Sequence, residues 1–288
     1  MFSSSKCITW LVVFVTESLI IVSVNLLTII VFIKNRNLRT RAMYLVISLT
    51  VADMLVGLLS ESLFPLVYMR HRCDLLRGVS LDGKIETLLE VTIPVLPLVS
   101  LTNIAVISLE RTHATFRPFK HRVIKKWVYE VIIATVWVLP VMILSAAVSI
   151  IFYDFSDNLF ILWPIYYCCC LFVICVSYAC ISIKFVCGAH PPHHGAVNRQ
   201  RKLTVTLFIM TIVSLLLFLP LVLHLFVLHA TNSSHIFTSP PFAYSSVVLV
   251  GANSFANPIL YSVRIPGFKQ ALITIFRRRQ NENVDIPL

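Results

Sequence analysis

Charged positions thin out seven times along this chain, near residues 8–33, 43–68, 87–110, 127–151, 159–183, 203–228 and 242–263. Each apolar run left between them holds about 20 to 26 residues, enough at 1.5 Å per residue to cross the roughly 30 Å hydrocarbon core of a bilayer. In lipid a backbone must satisfy its polar groups within its own segment, so these runs predict helices rather than strands. The expected fold is an all-α membrane protein, a seven-transmembrane helix bundle forming a single domain over residues 1–288. Beyond the last run, PGFKQALITIFRRR places Phe268, Ala271, Leu272 and Phe276 on one helical face beside Lys269 and the arginines. That pattern predicts a short amphipathic eighth helix, about 266–279, held on the inner leaflet by apolar burial and anionic lipid, with NENVDIPL as a frayed tail.

The segments between the runs set an orientation. Bases crowd after the first run (Lys34, Arg36, Arg39, Arg41), after the third (Arg117, Lys120, Arg122, Lys125, Lys126), between the fifth and sixth (Lys184, Arg199, Arg201, Lys202) and after the seventh (Arg264, Lys269, Arg277, Arg278, Arg279). The opposite segments dilute Lys6, Arg70, Arg72, Arg77 and Lys84 with Asp74, Asp82, Asp154 and Asp157. The positive-inside rule therefore puts the N-terminus outside and the C-terminus in the cytoplasm. The first run is too long for a cleavable signal and is expected to insert by itself. Asn232-Ser233-Ser234 is a glycosylation sequon on the outer side in this topology.

Composition narrows the class further. The chain is 58% hydrophobic and 13% charged, outside the range of soluble domains. Its formal net charge of +11 would suggest nucleic acid in a soluble protein, but here the bases sit at the inner ends of membrane spans, where they favour lipid headgroups. Of eight cysteines, Cys168, Cys169, Cys170, Cys175, Cys180 and Cys187 crowd into the fifth run or its inner end and read as reduced packing residues. Cys7 and Cys73 lie where an oxidising compartment reaches them, and a bridge between them is open. No nucleophile–base pair, phosphate loop or catalytic metal motif stands out, so no enzyme is expected. His190, His193 and His194 in HPPHH read as part of an inner loop ahead of a metal site.

Polar residues inside the runs carry the chemistry. Asn25, Asp53, Ser100, Asn103, Asn253, Ser254 and Asn257 all fall near mid-depth, where such groups are costly and face the bundle interior. A lone asparagine there has a plain alternative role, hydrogen bonding between helices. Asp53 has no lysine or arginine in a neighbouring span, so it must be protonated or bind a cation. Ser100, Asn253, Ser254 and Asn257 supply the hard oxygen ligands that suit sodium, and positions 253 and 257 are one helical turn apart.

These residues resemble, in order and over about residues 20–280, the rhodopsin-like (class A) G-protein-coupled receptors. Asn25 stands at the helix-one asparagine and Asp53, ending LTVAD, at the helix-two aspartate. SLERTHATFRPFKH places Glu110 and Arg111 on the first two positions of the acid-Arg-Tyr motif. Trp137, three residues before Pro140, is similar to the helix-four tryptophan, Tyr178 to the helix-five tyrosine and Pro220 to the helix-six kink proline. NSFANPILY sets Asn257, Pro258 and Tyr261 on NPxxY. The resemblance implies a plasma-membrane receptor that passes binding of an extracellular ligand, a peptide or a lipid, to a heterotrimeric G protein. It implies an allosteric sodium at Asp53, and a switch in which Arg111 leaves Glu110 for the transducer and for Tyr178 and Tyr261 as helix six swings out. Pro220 and Pro258 supply the hinges. A terminal Arg that only snorkels is the plain alternative for Arg111.

The departures are specific. Thr112 replaces the motif's tyrosine, Phe218 the helix-six toggle tryptophan, Ser214 the phenylalanine beneath it and Cys170 the helix-five proline. Gln200 removes a second ionic lock, which implies appreciable basal activity. Glu86 holds the place of the usual helix-three cysteine, and the second outer loop is short and cysteine-free. These features resemble the branch of melanocortin, lysophospholipid and cannabinoid receptors. Ile93 stands where aminergic members carry aspartate, and Gly251 where opsins carry the retinal lysine. Glu86 and Glu90, one turn apart, with Glu61 across from them, are similar to the acids with which melanocortin receptors hold calcium and a basic peptide group, Glu61 offset by about two residues. They form a candidate pocket for calcium or a cationic ligand; solvated acids at a helix end are the plain alternative. Two other functions fit the pattern: a scavenger receptor that binds without coupling, and an ion- or proton-coupled transporter using Asp53, the latter lacking a second acidic step and an inverted repeat.

Overall fold

A computed structural model describes residues 3–35, 41–69, 73, 82–152, 162–187, 205, 208–209, 212–225, 240–264 and 267–274. Among them there are helices and no strand. The first helix, Ser4–Lys34, begins where Ser3 Oγ accepts the Lys6 N–H at 3.5 Å. It ends at Asn35, whose backbone N–H and Nδ2 both donate to the Val31 carbonyl. Side-chain caps of this kind satisfy groups that a helix end leaves without partners.

The second helix runs as Arg41–Leu55 and then widens into two π-helical stretches, Val56–Glu61 and Pro65–Met69, around a single α-turn, Ser62–Phe64. Each wide turn rotates the residues beyond it relative to a 3.6-residue repeat. Gly57 lies in the first of them, and its carbonyl accepts the hydroxyls of Ser18 at 2.7 Å and Ser62 at 3.2 Å. The side chain it lacks is what lets the first two helices meet: a Cβ there would stand 2.7 Å from Ile21 Cγ2.

The third span is two helices, Gly83–Thr92 and Val95–Phe116, where the sequence pattern predicts one. Pro94 has no N–H to offer the preceding turn, and Pro97 has none for the Ile93 carbonyl four residues back. Ser60 Oγ of the second helix donates to that freed carbonyl at 2.8 Å, so the break is a bonded joint between neighbouring helices. The inner half forms the axis of the bundle, with Leu98, Leu101, Ile104 and Ile107 buried.

Pro118–Val123 forms a short helix with proline in its first turn. The fourth span, Lys126–Phe152, donates from Trp137 Nε1 to Ser48 Oγ at 3.1 Å; the fifth is Leu162–Cys187. The sixth is described over Ile212–Leu225 and the seventh is Pro240–Arg264. A helix over 267–274 follows, and its Phe268 is buried against Phe32 at 5.6 Å between ring centroids.

The bundle is apolar outside and polar at its centre. Val12, Leu19, Leu26 and Ile33, Val138, Val141 and Met142, and Phe172, Val176 and Ile183 are exposed. Repeated along helix after helix, such outward faces are what lipid, not water, accommodates. At the end holding the N-terminus, Trp10, Phe14, Phe64, Tyr68 and Tyr244 pack together, with ring centroids 4.7 to 6.4 Å apart. A disulfide between Cys7 and Cys73, Cα atoms 5.9 Å apart, fastens the first helix beside this cluster. Cys168, Cys169, Cys170, Cys175 and Cys180 are free thiols.

Candidate functional site

Four long helices, the first, second, third and seventh, bring the mid-depth polar residues to one buried core. Asp53, wholly buried, accepts from Ser100 Oγ at 2.6 Å on one carboxylate oxygen and from Asn257 Nδ2 at 2.8 Å on the other. Asn25 ties the first helix to the seventh, donating to the Ser254 carbonyl at 3.0 Å as well as to its own helix at Ile21. Asn253 accepts from Ser214 Oγ at 2.6 Å, which links the sixth helix to the seventh. Among the described residues no arginine, lysine or histidine forms an ion pair with Asp53. The oxygens Asn25 Oδ1 and Asn103 Oδ1 and the Asn253 amide nitrogen are buried with no protein partner. A carboxylate with neutral hydroxyl and amide neighbours, beside orphaned amide oxygens, is a donor set that fits a hard monovalent cation and its water.

Ser214 is the residue whose role the sequence did not show. It reads there only as a missing phenylalanine, yet its hydroxyl reaches into the polar core from the helix that carries Pro220. One turn on, Phe218 is buried and packs against Tyr167 at 5.7 Å. Pro220 and Pro258 both lie within continuous helix.

At the other end of the third span Arg111 is 9% exposed. Its Nε lies 2.5 Å from Glu110 Oε2, without the alignment of a hydrogen bond, so the attraction is mainly Coulombic. The other carboxylate oxygen of Glu110 has two further neighbours: His121 Nε2 at 2.6 Å, from the short helix, and Tyr129 Oη at 3.3 Å, from the fourth span. Tyr129 and His121 also contact each other at 3.2 Å. Tyr178 is buried against Phe208 at 5.6 Å between ring centroids. Thr112, where the motif usually has tyrosine, donates toward the Ser177 carbonyl at 3.3 Å and so bonds the third span to the fifth. Lys184 Nζ donates to the Thr115 carbonyl and stands over the Phe116 ring. His121, at the end of the SLERTHATFRPFKH stretch, and Tyr129, on the next span, are not legible as site residues because only the packing of the short helix and the fourth span brings them to Glu110.

The three acids proposed as a ligand pocket are differently placed. Glu61 is 2% exposed and faces Glu17 of the first helix, the two carboxylates converging on Gly251 of the seventh. Glu86 is half-buried near the start of its helix, its N–H donating to the Asp82 carbonyl at 2.9 Å. The side chains of Glu90 and Tyr261 lie outside the described residues, as do Asn232, Gln200 and the HPPHH histidines. Among the described residues no three His, Cys, Asp or Glu side chains gather as a metal site.

Helices with apolar exteriors around a polar, charge-bearing core define a multi-pass membrane protein built as a helix bundle. The family described as the 7 transmembrane receptor (rhodopsin family) matches residues 24–158, which hold Asn25, Asp53, Ser100, Glu110 and Arg111. The chain is 23% identical over 262 residues to melanocortin receptor 5 of Mus musculus, covering 88% of this chain and 79% of that protein. Over those residues the chain resembles the rhodopsin family of seven-transmembrane receptors, and over most of its length it is similar to a melanocortin receptor.

Proposed function

We propose that this receptor carries the binding of an extracellular ligand to a heterotrimeric G protein from the plasma membrane, with its N-terminus outside. The observation that carries the reading is Arg111: a buried guanidinium at the inner end of the central helix, held by one neighbouring acid and beside the fifth helix. Such a group has two ways to satisfy its charge, the acid in the closed bundle or partners supplied when the inner ends part, and a few kcal/mol between them makes a switch. The disulfide at the N-terminal end supports the orientation, since such bridges persist in oxidising compartments. The test is nucleotide exchange on a panel of purified G proteins. Wild type is expected to accelerate exchange above the receptor-free rate, and Arg111→Ala to reduce that acceleration at least about tenfold; equal, null exchange by both chains over the panel would sink the coupling reading and favour a receptor that only captures ligand.

Asp53 is the proposed sodium site, with Ser100 as the neutral oxygen next to it and Asn257 holding the second carboxylate oxygen. A cation bound only by the folded state stabilises it in proportion to the logarithm of its concentration. Sodium chloride, compared with choline chloride at equal ionic strength, is therefore expected to raise the melting temperature of wild type but not of Asp53→Asn. Identical salt responses in the two chains would refute the sodium site.

A further inference from the structure

The short helix Pro118–Val123 turns its apolar side chains away from the bundle. At 3.6 residues per turn Phe119 and Val123 share one side, His121 lies opposite them, and Lys120 and Arg122 flank the pair. His121 accordingly meets Glu110 at 2.6 Å, while Phe119 is 81% and Val123 77% exposed. Trp127, at the start of the fourth span, is 58% exposed and carries this apolar side on to Val131 and Val138, exposed along the same helix. Arg117, Lys120, Arg122, Lys125 and Lys126 are all exposed around it. The acids between residues 108 and 130 are Glu110, buried against Arg111, and Glu130, paired with Lys126 at 3.3 Å. Among the described residues Arg117, Lys120, Arg122 and Lys125 form no ion pair.

Exposed phenylalanine and tryptophan side chains favour an apolar environment, and four unpaired bases beside them favour negative charge. A bilayer surface meets both demands at once, because apolar tips enter the acyl boundary while bases meet phosphates. A soluble acidic partner would answer the charge, but not the continuity of Phe119, Val123 and Trp127 with the outward, apolar side of the fourth span. Tryptophan at the end of a span is itself a mark of the interface. The bond from His121 to Glu110 fixes the opposite side of the helix, so the surface is presented already formed. We propose that the outward side of the short helix, together with Trp127, is a docking surface for anionic phospholipid in the leaflet opposite the N-terminus.

The experiment needs no transducer and so stands apart from the coupling test. Full-length protein is reconstituted in bilayers of one fixed mixture of phosphatidylcholine and phosphatidylserine, in which one lipid or the other carries brominated chains at the same mole fraction. Bromine quenches tryptophan at contact, and the difference between wild type and Trp127→Phe isolates Trp127 from Trp10, Trp137 and Trp163. Brominated phosphatidylserine is expected to quench Trp127 about threefold more than brominated phosphatidylcholine. In about 1 M sodium chloride, where the screening length falls to about 3 Å, the two should quench alike. The preference should also vanish in a chain carrying Lys120→Gln, Arg122→Gln and Lys125→Gln together, all exposed positions whose replacement spares the fold. It should survive in Lys34→Gln, an exposed base at the same end of the bundle. The salt arm uses wild type and so holds whatever the variants do. Equal quenching by the two lipids in wild type, a preference kept in high salt or by the triple variant, or one lost in Lys34→Gln would each overturn the proposal. So would a Trp127 that neither lipid quenches, the result for a face covered by protein.

Discussion

Replacing Gly57 with leucine is expected to lower the melting temperature and the folded yield of the receptor more than the alanine change at the same position. A Cβ at this position would lie 2.7 Å from Ile21 Cγ2, 2.8 Å from Ile21 Cβ and 3.2 Å from the Ser18 carbonyl oxygen. Ile21 Cβ and the carbonyl are fixed to the first helix, so no rotamer change removes the contact and the two helices must separate. Separation would break the bond from Ser18 to the Gly57 carbonyl and the packing of Ile21, which is wholly buried. Overpacking a tight core costs about 1–3 kcal/mol for a few methylenes, a large share of the about 5–15 kcal/mol by which folded domains are stable. Alanine is the graded control: its better helix propensity, about 1 kcal/mol over glycine, offsets part of the clash, and a fall of a few degrees is expected. Thermal melts and size-exclusion profiles in detergent decide it, and a Gly57→Leu chain as monodisperse and as stable as wild type would show that the first two helices are not in contact at this point.

What the sequence made legible follows from how local the signal is. Apolar runs mark the spans because the bilayer acts on every residue of a span alike, and Asp53 is visible because a charge in such a run has few explanations. The break at Ile93 and Pro94 is marked by its prolines, although a reading by hydropathy alone runs straight through it. The wide turns of the second helix are another matter. No residue type encodes a π-turn, so the setting of Glu61 against Glu17 is not legible in the sequence, where Glu61 is grouped with Glu86 and Glu90 through the melanocortin resemblance. Glu17, an acid inside the first run, carries the same signal as Asp53 but matches no motif, and its neighbour on the second helix is set by packing. Ser214 and His121 share a different obscurity: each completes a motif from another helix, and only packing shows that Ser214 bonds Asn253 and His121 bonds Glu110.

Those two contacts suggest how this receptor compensates for the residues it lacks. Where relatives place a phenylalanine and a tryptophan in the sixth helix, it has a hydroxyl bonded to the seventh helix and a phenylalanine packed on Tyr167 of the fifth. Outward movement of the sixth helix would break the Ser214–Asn253 bond, whose acceptor lies one turn from Asn257 and hence from Asp53. At the inner end the restraint on Arg111 is concentrated on Glu110, which is held from two further elements.

Glu110→Ala is accordingly expected to raise basal nucleotide exchange about tenfold or more while lowering the melting temperature. The carboxylate and guanidinium side chains are 7% and 10% exposed, so this is a pair largely withdrawn from water. Removing one member of such a pair costs about 3–5 kcal/mol, because the remaining charge is left uncompensated. That cost falls on the closed arrangement alone if Arg111 finds other partners once the inner ends separate, and 1.4 kcal/mol is already tenfold in the equilibrium. Glu110→Gln keeps an acceptor for His121 and Tyr129 but gives up the charge, so it should fall between Glu110→Ala and wild type. His121→Ala leaves the arginine paired and loosens only the short helix, for an expected rise of about threefold, near the value of one charge-assisted hydrogen bond in a partly exposed site. The ordering Ala above Gln above His121→Ala above wild type, read as exchange without ligand, is the signature of a lock. A lower melting temperature with exchange unchanged in all three would make Glu110 a structural anchor and leave Arg111 without a switch.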